Sequence, residues 1–370
     1  MLMKKIVITG VTLFIILLTV ILFLLLKSQQ RENIVQKPIQ GTTPTSKNIQ
    51  VLAENLSVPW EVIVLQDGSF IASEREGKLT LLDPKKKIVQ TLELPITVHA
   101  QGEGGLLGIA IDPEFTKNKF LYSYYTYQEN SNTWNRVARF ILEGSTLKFD
   151  KVLLDNIPAA GLHNGGRIAF GPDTYLYVTT GDAQKPEQAQ DIDSLAGKIL
   201  RITRDGTPAP DNPFSNTVYS FGHRNPQGLA WDNQQRLWAT EHGPSAHDEL
   251  NVIKAGANYG WPIIIGQQTK EGMELPVLES GNETWAPGGI VIADNRAIFG
   301  GLRGHGLFVV NLDQIEKPQE YFSSEFGRVR SITTMPNGDF LILTSNRDGR
   351  GIAKNSDDKV IQISRGLLIN

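Results

Sequence analysis

His163 stands in a short polar run, His163-Asn164-Gly165-Gly166-Arg167, and Gly181-Asp182 follows one strand pair later. An imidazole takes up a proton near neutral pH, and a carboxylate on its second nitrogen fixes its tautomer and raises its basicity. The two residues read as a base with its orienting partner; a histidine in a turn can equally be a structural hydrogen-bond partner. A second cluster, Phe221-Gly222-His223-Arg224-Asn225-Pro226-Gln227-Gly228, brings together Arg, Asn and Gln. The guanidinium there offers a rigid fork of donors for paired oxygens. In a third, Thr240-Glu241-His242-Gly243-Pro244 precedes Asp248-Glu249 and Asn258-Tyr259-Gly260-Trp261-Pro262. Backbone carbonyls in a Gly-Pro turn beside carboxylates make a hard oxygen environment of the kind calcium takes. The fourth is Gly327-Arg328-Val329-Arg330, with Arg303 one repeat earlier. Strand alternation predicts Arg328 and Arg330 on one face, where two close cations call for an anion between them. An ordinary solvated surface is the plainer account of such a pair.

Residues so far apart in the chain need a scaffold that gathers them. A repeated unit supplies one: a small or polar residue, an apolar alternation, a turn at Asp, Asn or Gly, then aromatic and β-branched residues. Copies begin at Val58-Pro59-Trp60, Gly105-Leu106-Leu107, Gly166-Arg167-Ile168, Gln227-Gly228-Leu229, Pro287-Gly288-Gly289 and Val329-Arg330-Ser331. Period-2 alternation around turn residues marks short hairpins, and no dozen residues of the region sustain a 3.6-residue apolar period. Equivalent small residues at 167, 228 and 289 are 61 positions apart, room for about four strands per repeat. Six radial sheets bury their faces against one another and leave only short edges exposed. The expected fold is therefore all-β, a six-bladed β-propeller; a two-sheet sandwich predicts no such long-range period. Loops at one mouth of a propeller's central channel bring distant repeats together, so the four clusters are expected to converge.

Residues 6–26 contain neither charge nor proline, and these 21 residues in a helix cross a hydrocarbon core of roughly 30 Å. Lys4 and Lys5 precede the run, and residues 27–31 after it offer no small-x-small cleavage pattern and no cysteine for lipidation. Residues 1–27 read as one N-terminal transmembrane helix, an uncleaved anchor rather than a signal with its shorter, ~7–15-residue apolar core. Residues 28–48, with Pro38, Gly41 and Pro44, read as a flexible linker, and 49–370 as one propeller domain outside the cytoplasm. The absence of cysteine removes disulfides, thiolate metal sites and cysteine nucleophiles. A net charge of −3 without a basic run excludes nucleic acid as a partner.

In order and spacing, the run from His163 to Arg167, Gly181-Asp182, Gly197-Lys198-Ile199-Leu200-Arg201, Gly222-His223-Arg224-Asn225-Pro226-Gln227-Gly228-Leu229, Asp248-Glu249-Leu250-Asn251, Asn258-Tyr259-Gly260-Trp261-Pro262 and Arg328-Val329-Arg330 resemble the quinoprotein glucose/sorbosone dehydrogenase family. That family includes soluble glucose dehydrogenase and the aldose sugar dehydrogenases, and the resemblance covers nearly all of the domain. It implies a six-bladed propeller that uses pyrroloquinoline quinone (PQQ) and calcium. It further implies oxidation of aldose sugars at C1 to lactones by hydride transfer to the quinone, with electrons passed to an external acceptor. His163 would take the C1 hydroxyl proton, Asp182 would hold His163, and Arg224 would polarise the quinone carbonyl. Asn225, His242, Arg303, Arg328 and Arg330 fall where the family grips the quinone. The carbonyls of Gly243 and Pro244 match ligands of a catalytic calcium, and Asp248 is expected among the metal-binding residues. Glu249 and the carbonyl of Tyr259 match a second, structural calcium, and Glu103 falls at a substrate-contacting position.

Three positions depart from the glucose dehydrogenase pattern within that family: Glu103 and His242 stand where it has Gln, and Arg303 where it has Lys. Glu103 places a negative charge near a tricarboxylate, which weakens quinone binding unless Arg303 or calcium offsets it. Only residues 263–285 separate Pro262 from Ala286, so the long loops around the sugar pocket of glucose dehydrogenase are missing, and broad aldose specificity is expected. Two other functions share the architecture: a non-catalytic propeller that binds a partner or glycan, and a calcium-dependent lactone hydrolase. The hydrolase needs carboxylate and Asn side chains around one metal, where these repeats offer Arg.

Overall fold

The computed structural model describes residues 48–83 and 88–369. The expected membrane helix at 6–26 lies outside these residues, among which no helix is long and apolar enough to cross a membrane.

Six four-stranded antiparallel sheets form six blades, and each repeat start identified in the sequence opens the innermost strand of one blade. The inner strands are Pro59–Val64, Leu106–Ile111, Ile168–Phe170, Pro226–Trp231, Pro287–Ala293 and Val329–Thr334, which open blades 1 to 6. Blades 1 to 5 are each continuous in sequence, but blade 6 takes its outermost strand, Ile49–Ala53, from the opposite end of the domain. That strand pairs antiparallel with Val360–Ile363 and closes the ring.

The aspartate that recurs at the first turn has a physical role. Asp112 accepts the Tyr122 hydroxyl at 2.8 Å, Asp173 that of Tyr177 at 2.8 Å, and Asp232 the Trp238 indole N–H at 2.9 Å. A buried aromatic with a polar tip needs such a partner, so turn and second strand specify one another. Apolar residues facing both ways out of each sheet form six clusters among the described residues, one at every junction between neighbouring blades. Leu341, Leu343 and Val360 of blade 6 pack on Val62, Phe70 and Leu82 of blade 1, which seals the last junction.

Near the axis the inner strands approach closely. A Cβ on Gly288 would lie 2.1 Å from the Arg330 carbonyl oxygen, and one on Gly108 would lie 2.2 Å from that of Gly166. At these two positions glycine is thus a spacing requirement. Gly288→Ala is expected to push the strand carrying Arg330 outward, at a cost of about 1–3 kcal/mol in chemical denaturation. An unchanged midpoint would show that the strand yields freely.

In five of the six blades the pairing between first and second strands slips just after the inner strand begins. Trp60, Gln227 and Arg330 are residues left without a pairing partner by these bulges. A bulge re-aims a side chain, and all three turn into the axial cavity.

Candidate active site

At this mouth of the axis lies a cavity of about 410 Å³. Five arginines line it (Arg75, Arg303, Arg328, Arg330 and Arg350) against three carboxylates, Glu103, Asp248 and Asp348. His242 and Gly243 also line it, and Asn164 and Gly165 form the wall next to His163.

His163 adopts a left-handed backbone conformation, φ +60°, that turns its ring back toward Asp182. Its Nδ1 lies 2.8 Å from Asp182 Oδ1, with the carboxylate fully buried and the imidazole 16 % exposed. Asp182 Oδ2 accepts the Trp261 indole N–H at 2.8 Å, and Oδ1 also accepts the backbone N–H of Gln184. A carboxylate held by donors on both oxygens cannot rotate, so Nδ1 of His163 carries the proton and Nε2 keeps its lone pair. The loop is braced from blade 2: the Tyr124 hydroxyl donates to the Asn164 carbonyl at 2.8 Å, and Asn135 Nδ2 to Asn164 Oδ1 at 3.1 Å. His223 makes a similar pair with Glu241, at 2.9 Å, but it is fully buried and its Nε2 is engaged by Ser220. Of the two, only His163 has a nitrogen left for chemistry.

Arg224 links His163 to the rest of the site. Its carbonyl accepts the Asp182 N–H at 2.8 Å, its Nη1 donates to the His242 carbonyl at 3.1 Å, and its guanidinium lies 5.4 Å from the Trp261 ring. The backbone N–H groups of Arg224 and Asn225 both donate to Glu241. Burial lowers the Arg224 pKa despite the nearby Asp182 and Glu241 carboxylates. Asn225 is buried behind the cavity wall, where its Oδ1 accepts the Gly165 N–H at 2.9 Å. His242 donates through Nε2 to the Pro287 carbonyl at 3.0 Å, and burial pushes its pKa down to about 4, so it is neutral at pH 7.

Arg328 and Arg330 both reach the cavity, but not by strand alternation: Arg328 precedes the strand and Arg330 is the bulged residue. The anion expected between them is in part the protein's own. Asp348 Oδ2 accepts from Arg328 Nη2 at 2.6 Å and lies 3.7 Å from Arg330 Nη2. Arg330 also donates to Gln227 Oε1 at 2.7 Å, and burial pulls its pKa down to about 10. The buried Nε atoms of Arg224 and Arg330 have no hydrogen-bond partner. Unpartnered buried donors and a surplus of guanidiniums fit an anionic ligand in the cavity.

A void of about 20 Å³, the room of one small ion or water, adjoins the cavity at His242 and Gly243. Arg224, Glu241, Pro244, Glu249 and Tyr259 also line it. Burial and the neighbouring Glu241 push the Glu249 carboxyl up to about 8, the sign of two carboxylates that a cation would reconcile. No three His, Asp or Glu side chains converge on a metal position among the described residues, so such a cation would depend on backbone carbonyls. Both oxygens of Asp248 are already committed. Oδ1 accepts the Gly243 N–H, and Oδ2 accepts Thr284 Oγ1 and the N–H groups of Trp285 and Ala286.

Arg350, rather than Arg303, pairs with Glu103, at 2.6 Å, while the other oxygen accepts the His163 backbone N–H at 2.9 Å. Burial alone would raise the Glu103 pKa, but these two donors outweigh it and hold the carboxyl below the ordinary 4.5. A depressed pKa contributes stability above 4.5 that is lost as pH falls through the folded value. Glu103→Gln is therefore expected to be less stable than wild type at pH 7, by less than about 1 kcal/mol given the exposed Arg350, with the gap narrowing as pH falls below 4.5. A difference that failed to narrow on acidification would remove the ion pair as its cause. Asp348 and Arg350 carry no signal in the sequence, since they lie in an irregular loop; Arg75 is visible there only as the residue after a second strand.

The sequence profile of the Glucose / Sorbosone dehydrogenase family matches residues 56–354. The aldose sugar dehydrogenase YliI of Escherichia coli is 29 % identical over 343 residues, which cover 83 % of this chain and 92 % of that protein. Quinoprotein glucose dehydrogenase B of Acinetobacter calcoaceticus is 33 % identical over 64 % of this chain and 57 % of its own length. The PQQ-bound aldose sugar dehydrogenase of Streptomyces coelicolor superposes with a TM-score of 0.80 at 40 % identity, over 85 % of this chain and 97 % of that one. With this profile, these relatives and a six-bladed ring around an arginine-lined cavity, the chain belongs to the Glucose / Sorbosone dehydrogenase family.

Proposed function

We propose that this chain is a PQQ-dependent aldose dehydrogenase that oxidises sugars at C1 to lactones and passes the electrons to an external acceptor. The observation that carries the reading is an oriented His163–Asp182 pair next to the wall of an arginine-lined cavity. The similarity to a PQQ-bound aldose sugar dehydrogenase names the anion that such a cavity would take.

Arg303, Arg328 and Arg330 would hold the cofactor's carboxylates, with Arg224 donating to its carbonyl side. When bound, the quinone supplies the acceptor for the electron pair that leaves C1. The chain supplies the rest. Nε2 of His163 takes the proton of the C1 hydroxyl, and Asp182 stabilises the imidazolium that results. Trp261 keeps Asp182 from turning. Neutral His242 adds no charge against the arginines, and the Glu103–Arg350 pair cancels its own charge beside the His163 loop. Calcium, held by the carbonyls of Gly243 and Pro244 and, at a second position, by Glu249 and the Tyr259 carbonyl, would complete the site. Residues 6–26 would hold the propeller on the outer face of the cell membrane.

The test is reconstitution. Purified protein loaded with PQQ and calcium is expected to reduce a redox dye when aldoses are added; silence toward a broad aldose panel, with quinone demonstrably bound, would defeat the reading.

A further inference from the structure

In five of the six blades the second strand ends at the mouth of the axis, and residues just beyond its end build the site. Asp182 comes after the second strand of blade 3 (Leu176–Thr180), and His242 after that of blade 4 (Leu237–Glu241). Arg303 and Asp348 come shortly after those of blades 5 (Arg296–Gly301) and 6 (Phe340–Thr344). Blade 1 has a counterpart in Arg75, directly after Phe70–Glu74. The equivalence extends to hydrogen bonding. Glu74 accepts the Ser57 N–H at 2.6 Å just as Glu241 accepts the backbone N–H of Arg224.

Arg75 is rigidly placed. Its N–H donates to the Val58 carbonyl at 3.1 Å, and its carbonyl accepts the Leu106 N–H at 2.9 Å. The stem of its side chain crosses Gly105, where a Cβ would come within 2.5 Å of Arg75 Cγ. The half-buried guanidinium lines the cavity, yet it makes no hydrogen bond among the described residues. Of the three carboxylates that act on it electrostatically, Asp348, Glu103 and its sequence neighbour Glu76, the first two are spent elsewhere and the third makes no hydrogen bond to it. Asp348 accepts from Arg328 and from the Arg350 backbone N–H, and Glu103 from the Arg350 side chain and the His163 N–H. A cation fixed in a partly desolvated position without a partner is costly unless a ligand supplies the opposite charge.

Resting on the quinone reading, we propose that Arg75 is a further cofactor-binding residue, which donates to a carboxylate of PQQ from blade 1. It extends the cationic arc of blades 5 and 6 across the junction that closes the ring. Arg303, whose guanidinium likewise meets no acceptor among the described residues, stands at the other end of that arc.

The experiment titrates PQQ, with calcium, into the apoprotein and follows quenching of tryptophan fluorescence, since Trp60 lines the cavity. Arg75→Gln is expected to weaken binding by about tenfold or more, as loss of a charged hydrogen bond does, and Arg75→Lys to recover part of it. The melting temperature of apo Arg75→Gln should match wild type, because the guanidinium makes no hydrogen bond in the fold. Wild-type affinity in Arg75→Gln, alongside weak binding by Arg328→Gln, would overturn the role of Arg75 and leave the quinone reading standing. Failure of the wild-type protein to bind PQQ at all would overturn both.

Discussion

Replacing His163 by alanine is expected to lower aldose turnover by the quinone-loaded protein ~10²–10⁴-fold, the usual worth of a positioned general base. Quinone affinity should stay at the wild-type value, because the imidazole is paired with Asp182 and not with the arginines of the cavity. Asp182→Asn is expected to be nearly as damaging. An amide in that place must satisfy the Trp261 indole N–H, the Gln184 N–H and the His163 ring with one oxygen instead of two. Its NH₂ would then face His163 Nδ1 and favour the tautomer that carries the proton on Nε2, which cannot accept another. Single-turnover kinetics beside a quinone titration separate the effects. Turnover within tenfold of wild type in His163→Ala would remove this residue as the base.

Arg328→Ala carries the largest expected effect on stability. Arg328 and Asp348 are 7 % and 3 % exposed, and the guanidinium also donates to the Leu302 carbonyl at 2.7 Å. Its removal strands a buried carboxylate, which typically costs 3–5 kcal/mol. The double variant Arg328→Ala/Asp348→Ala should recover part of that loss, since the stranded carboxylate is gone. Urea denaturation measures both, and a single-variant loss under about 1 kcal/mol would show that solvent or Arg330 rescues Asp348. Quinone affinity should fall in both variants, because neither restores the missing cation.

The axial half of every blade is legible in the sequence. Inner and second strands follow a period-2 pattern around their turns, three blades carry the aspartate–aromatic pairing, and glycines such as Gly108 and Gly288 mark where the crowded axis requires a small residue. Outer strands are not. Leu278–Glu279 is two residues long, and Ile49–Ala53 is a half-exposed edge with no turn signal to mark it. The catalytic pair can be read because its residue types name their chemistry. Arg330 is recognisable by type, but strand alternation gives the wrong geometric reason for it, since a one-residue bulge cannot be seen in an alternating pattern. The partner of Glu103 stays hidden because it sits 247 residues away on an irregular loop. Backbone carbonyls leave no mark in a sequence at all, so a calcium site built from them is invisible without a relative to compare.

The strand borrowed by blade 6 ties assembly to cofactor uptake. Ile49 pairs with Ile363, so the sheet that carries Arg328 and Arg330 cannot be finished until nearly the whole propeller has left the ribosome. Until then five blades wait on a sixth, and the cationic pocket is the last region to set. A ligand that binds only the finished pocket draws the equilibrium toward the sealed ring by mass action. Holoprotein should therefore resist unfolding as one cooperative body, with the seam between blades 6 and 1 the first place where apoprotein exchanges its amide hydrogens.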